Sequence, residues 1–239
     1  GFGIVAQTFG AGSVTVTQNG AIGSGVDAVG LAGIFAHISN VTNTKNVVVT
    51  SNASIDAGNW GVSAFTAGLG GVKVDQTAGT ITAVNDGILA EAGNVLNVAG
   101  NVVVNTSAGA AINATDGGIF ARTLGEGDVF VTNAGNTKGT NGDGIFAAVA
   151  GPGLASSDGF VTVTNQASGT AASTNGAGIK ALSNSNDDVV VSNAGTVSGA
   201  TFGVTATTTG IGGAVTVTQT GGSTAQTGAD TGAGIDAVI

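Results

Sequence analysis

The sequence has no cysteine, no methionine and no tyrosine, and only one proline and one tryptophan in 239 residues. Disulfides and thiolate metal sites are therefore excluded. Charge is scarce too: 8% of residues are charged, and five basic side chains (Lys45, Lys73, Arg122, Lys138, Lys180) stand against 14 acidic ones for a net charge of −9. So few cations leave no electrostatic footprint for nucleic acid or for an anionic membrane surface. The mean hydropathy is +0.40, yet no stretch reaches the roughly 20 unbroken apolar residues of a spanning helix. No membrane-spanning segment is expected.

What the chain has in abundance is glycine, 44 residues, without the Gly-X-Y period of collagen and with too much Val and Ile for a disordered chain. The glycines punctuate a tetrad, Gly-(Ile/Val)-x-Ala. It stands at Gly3-Ile4-Val5-Ala6, Gly33-Ile34-Phe35-Ala36, Gly61-Val62-Ser63-Ala64, Gly87-Ile88-Leu89-Ala90 and Gly118-Ile119-Phe120-Ala121. It returns at Gly144-Ile145-Phe146-Ala147, Gly178-Ile179-Lys180-Ala181, Gly203-Val204-Thr205-Ala206 and Gly234-Ile235-Asp236-Ala237. The mean interval is about 29 residues, within the range of stacked repeat architectures.

A Val-x-Val phrase follows each of the first eight tetrads, beginning at Val14, Val47, Val72, Val102, Val129, Val161, Val189 and Val215. A third apolar slot comes next, at Ile22, Ile55, Ile81, Ile112 and Val197, with Thr137, Ala172 and Thr224 as weaker occupants. Short β-branched bursts, apolar at i and i+2 and interrupted by Gly, read as strands and not as helix. The expected fold is all-β: a right-handed, three-sided parallel β-helix of eight to nine rungs, its hand set by the crossover rule. Residues 1–239 form a single β-solenoid segment. The chain starts and stops within the pattern, which reads as an internal piece of something longer. At about 4.8 Å per rung the rod is roughly 40 Å long, with Gly supplying positive φ at the corners.

Two finer features follow. Gln18, Ser51, Gln76, Thr106, Asn133, Asn165, Asn193 and Gln219 share one place in the turn after the valine strand. They are expected to stack as a structural hydrogen-bonding ladder, not as a binding row. The loops 37–46, 91–101, 148–160 and 207–214 are longer than those between them, so rungs pair into a double repeat of about 58 residues. The start of the second rung stays open between Val26 and Ile34, because Gly25-Val26-Asp27-Ala28 also fits the tetrad.

The residues between the inward Ile and Ala of each tetrad point outward. Phe35, Leu89, Phe120 and Phe146 in that row, with Val103 and Phe130 in the matching row of the valine strands, form a candidate interaction stripe. Their own loops folding back over them is the competing expectation. The outward row Thr15, Val48, Lys73, Val103, Phe130, Thr162, Val190, Thr216 is too irregular for an ice lattice. Asp86, Asp116 and Asp143 precede tetrads, where a short polar turn residue suffices. Asp187 and Asp188, with Asp128 or Asp158, lack calcium-loop spacing. His37 opens a long loop as a solvated residue, and the Asn-x-Ser/Thr triplets at Asn40, Asn52, Asn105 and Asn113 are what such a composition produces by chance. No catalytic, metal or cofactor site is expected.

The Gly-Ile-x-Ala and Val-x-Val-Thr-Asn phrases, with Asp-Gly-Ile-Phe-Ala at 143–147, resemble the passenger region of bacterial autotransporters along the whole chain. That resemblance implies a right-handed parallel β-helix at the bacterial cell surface or outside the cell, serving as adhesin or fibre and not as an enzyme. It lacks the family's translocator barrel and signal peptide. The implied partners are further copies, head-to-tail or side by side, and a cell-surface or glycan ligand. The alternative is a polysaccharide-degrading enzyme on the same scaffold, which needs a groove with at least two carboxylates and a cation.

Overall fold

In-register stacking governs the architecture. A computed structural model describes residues 1–150, 159–228 and 234–239. Every strand pairs in parallel with its counterpart one turn away, in three sheets of nine, eight and seven strands. The nine-stranded sheet takes every tetrad, from strand Ile4–Thr8 to strand Ile235–Val238. The eight-stranded sheet takes every Val-x-Val phrase, from Val14–Gln18 to Val215–Gln219. The seven-stranded sheet takes the third phrase. Between the outermost tetrad strands the chain coils about eight times.

Like side chains therefore lie over like. Ile88 pairs with Ile119 and Ile119 with Ile145, and all three are fully buried. Ala90, Ala121 and Ala147 pile up beside them, Val102, Val129 and Val161 across from them, and Ile55, Ile81 and Ile112 close the third side. Burial of Ile, Val and Ala in three columns is the main apolar gain of the fold. Most strands run five residues, with the fifth buried as well.

The tetrad glycine has a steric cause, not a conformational one. Positive φ is confined, among the described residues, to Gly23, Gly25, Gly79, Gly212 and Gly222. The tetrad glycines instead lie against the third sheet: a Cβ at Gly33, Gly61 or Gly87 would overlap the Cγ2 methyl of Ile55, Ile81 or Ile112.

The second rung begins at Ile34, which pairs with Ile4. Gly25–Asp27 is a 3-10 turn, and Val26 is 99% exposed. Ile22 makes a single bridge to Ile55 and belongs to no strand. The inward slot of strand Thr170–Ser173 belongs to Ala171, paired with Thr137 and Val197; Ala172 faces out. Thr137 fits an apolar column because its hydroxyl donates to Asn133 Oδ1 at 2.9 Å.

The turn ladder forms over half the rod. Thr106 Oγ1 donates to Asn133 Oδ1 at 2.6 Å, and Asn133 Nδ2 to Asn165 Oδ1 at 2.8 Å. Asn165 Nδ2 continues to Asn193 Oδ1 at 2.8 Å, and Asn193 Nδ2 to Gln219 Oε1 at 3.1 Å. Near the other end Ser51 donates the opposite way, to Gln18 Oε1 at 2.7 Å. Gln76 lies where the two directions diverge, and its buried Oε1 has no partner among the described residues.

Of the long loops, three are described in full, and in the last of them the Ile211 N–H donates to Asn186 Oδ1 of the short loop before it at 3.0 Å. Asn43 Nδ2 holds the carbonyls of Gly10 and Gly12, and Asn97 Nδ2 that of Gly70, so each long loop is tied to the short loop before it. Most of the loop 148–160, with Asp158, lies outside the described residues.

Two stability outcomes follow. Gly87→Ala lowers the unfolding free energy by about 1–3 kcal/mol through overpacking; combined with Ile112→Ala the loss is smaller than the sum of the single losses, since the overlapping methyl is gone. Asn165→Ala costs about 1–3 kcal/mol by removing one of the two hydrogen bonds made by each of Asn133 Nδ2 and Asn193 Oδ1. Denaturant midpoints at unchanged m-value check both.

Candidate functional site

Strand alternation gives the nine-stranded sheet two outward rows. The first runs Val5, Phe35, Ser63, Leu89, Phe120, Phe146, Lys180, Thr205, Asp236. The second, two residues further along each strand, runs Gln7, His37, Phe65, Glu91, Arg122, Ala148, Leu182, Thr207, Val238. Phe35, Leu89, Phe120 and Phe146 are half-buried, packed by one another and by their neighbours in the rows. Phe120 and Phe146 stack with centroids 4.8 Å apart and planes 19° from parallel. Arg122 lies over the Phe120 ring at 5.2 Å, and Lys180 over Phe146 at 5.8 Å.

Ser63 belongs to the outward row but is buried, with His37 Nε2 2.9 Å from its hydroxyl. The His37 ring stacks on Phe35 at 3.5 Å, and Phe2 and Phe65 flank that pair at 5.1 and 5.4 Å. His37 thus belongs to an aromatic cluster in the sheet. Desolvation lowers its pKa to about 4. Glu91 Oε2 accepts from Arg122 Nε at 3.1 Å and Nη2 at 2.6 Å. Val103 and Phe130 pair with each other on the valine sheet, a different face of the rod; Val103 lines a depression of about 280 Å³ there with Lys73, Asn46 and Asn101.

The structure also joins what the sequence left apart. Asp86, Asp116 and Asp143 occupy one corner on successive rungs, beside the Phe120–Phe146 stack, around a depression of about 260 Å³. Glycines make room for them: a Cβ at Gly117 would meet an Asp86 oxygen at 2.7 Å, and one at Gly142 an Asp116 oxygen at 2.9 Å. Burial, and next the charge of Asp116, raise the Asp86 pKa to about 6. Burial also raises that of Asp143, against a backbone N–H from Ala177 and the charge of Lys180.

Other acids cap backbone. Asp128 Oδ1 accepts from the Phe160 N–H at 3.0 Å, Asp187 Oδ2 from Gly159 at 2.6 Å and Asp188 Oδ1 from Ala214 at 2.7 Å. Asn40 accepts from the backbone of Thr42, and Asn52 and Asn105 bond Asn19 and Asp75. At the loop corner an apolar groove of about 530 Å³ runs between Val41 and Leu96, with Ala67 and Leu69 between them, and Asn94 Nδ2 spans it to the Val41 carbonyl at 3.0 Å.

The fold and this surface define a parallel β-solenoid repeat protein. No family model, curated protein or solved structure matches the chain significantly. None of its helices is long and apolar enough to cross a membrane, among the described residues.

Asp86 and His37 act in opposite directions on stability, and Asp143, raised as well, acts with Asp86. Asp86, raised from 3.8 to about 6, adds stability at low pH that is lost as pH rises through about 6. His37, lowered from 6.5 to about 4, adds stability above about 6.5 that is lost as pH falls toward 4. In the parent chain the two trends offset each other between pH 4 and 6. Asp86→Asn exposes the acid loss of His37, and His37→Gln exposes the acid gain of Asp86; unfolding midpoints across that range read both.

Proposed function

We propose that this chain is part of a structural or adhesive protein at the bacterial cell surface or outside the cell, a rod that holds loops and distal parts away from their anchor. The observation that carries this reading is the unbroken in-register coil, whose repeated rung makes length and stiffness its direct product. The Gly-Ile-x-Ala repeat style, similar to autotransporter passengers, supports it. So does an outward sheet face that keeps phenylalanines half-exposed where small polar residues would serve a bare rod. Contact with a partner falls to that face and to the long loops.

A second reading is favoured by one observation. Asp86, Asp116 and Asp143 surround a depression, and Lys180 is close enough to act electrostatically on Asp143. An Asp held protonated near pH 6 beside other carboxylates is the arrangement a glycan hydrolase needs. Against it, about 260 Å³ falls below the usual size of a ligand cleft.

An antibody to the folded chain, applied to intact producing cells, labels them without permeabilisation, and external protease removes the signal. Labelling only after permeabilisation would defeat the surface reading. Reducing-end release from neutral and acidic polysaccharides stays at background for both the parent chain and Asp116→Asn. Release that the substitution abolishes would instead establish the enzyme.

A further inference from the structure

The outward face of the nine-stranded sheet is self-complementary. Consider a second copy turned by 180° about an axis along the strands, midway between Ile88–Ala92 and Ile119–Thr123. The rods run antiparallel, and rung n of one lies opposite rung 9 − n of the other. In the first row Leu89 then faces the second copy's Phe120, and Phe146 faces its Ser63, which is already buried beside His37. Phe35 faces Lys180, a cation opposite an aromatic ring. In the second row His37 faces Leu182, and Phe65 faces Ala148, which is already fully buried within its own copy. Glu91 faces the second copy's Arg122, and the reciprocal pair forms at the same time. Like charges meet at no position within the two rows.

We infer that this face pairs with a second copy of the chain in an antiparallel two-fold dimer centred between Glu91 and Arg122. Eight rungs at about 4.8 Å and strands of five residues at about 3.3 Å cover roughly 600 Å² on each copy. The total, about 1,200 Å², lies at the lower bound of specific interfaces. The contact is isologous and closes, so it gives dimers and not fibres. The acidic corners meet at the rim, Asp86 opposite the second copy's Asp116, and the net charge of −9 also opposes association. Salt that screens these charges therefore favours the dimer. The dimer rests on the geometry of the face and stands or falls separately from the surface-protein reading, which does not require it.

The test is a charge exchange between two variants, read by sedimentation in about 0.3 M salt. The parent chain sediments at twice its 22.4 kDa mass. Glu91→Arg places arginine against arginine, and Arg122→Glu places glutamate against glutamate, so each variant alone dimerises at least about tenfold more weakly. Mixed in equal amounts they form a heterodimer. The arginine introduced in the first variant then faces the glutamate introduced in the second, and the first variant's native Arg122 faces the second's native Glu91. Both variants still lack the ion pair within the copy, so a purely structural role for that pair predicts no recovery on mixing. Unchanged circular dichroism confirms that each variant is folded. A parent chain that stays monomeric at millimolar concentration overturns the inference. So does a parent dimer whose variants fail to recover on mixing.

Discussion

Parallel, in-register pairing of each strand with its counterpart one turn away is the constraint from which the other features follow. It satisfies the strand backbone along the rod, and it forces every inward position to be a column with a repeat of about 4.8 Å. The space enclosed by three sheets of short strands is narrow, so the columns admit Ile, Val, Ala and a satisfied Thr. None of the nine phenylalanines is buried. Where an isoleucine methyl of the third sheet reaches the tetrad, even a β-carbon is too large, and glycine is the residue left.

The same stacking limits charge. Two like charges one rung apart repel by nearly 1 kcal/mol even at the dielectric constant of water, and a column of them adds such terms at every step. An 8% charged composition is what a rod built this way tolerates. Buried polar positions are filled by neutral amides and hydroxyls, which donate to one rung and accept from another. Where charge does stack, it pairs with the opposite sign or its ionisation is disfavoured. Glu91 and Arg122 sit side by side as a pair, Lys73 finds Asp75 within its own strand at 2.9 Å, and the crowded Asp86 and Asp143 have raised pKa values.

How much of this could be read beforehand depended on contrast within each phrase. Isoleucine and valine against glycine, asparagine and threonine located two sheets completely, because each inward residue has an apolar counterpart one rung away. The third sheet was clear at Ile55, Ile81 and Ile112. It blurred at Thr170-Ala171-Ala172-Ser173, where all side chains are small and nothing marks which alanine faces in. Phe65 escaped notice because the outward row was taken from inside the tetrad alone, whereas the strands continue two residues beyond it. Val103 and Phe130 were grouped with the tetrad phenylalanines on hydrophobicity, which does not tell one sheet from another. The acidic corner was hidden by one inserted residue: Asp116 precedes two glycines where Asp86 and Asp143 precede one. Only the rung-to-rung pairing reveals that the three carboxylates share a corner.

The direction in which the rings stack bears on what the aromatic face can meet. Neighbouring rungs place Phe120 and Phe146 face to face along the rod axis, with Arg122 and Lys180 near the outer faces of the pair. What remains outward is a ribbon of ring edges. A sugar ring gains most from an open aromatic face, and this stack leaves none free. Ring edges flanked by aliphatic side chains suit a flat protein surface with its own low and high points, where edge-to-face contacts between aromatic rings are available. The spacing that builds the core therefore also sets the kind of surface the outer face matches, and it favours another β-sheet over a glycan chain.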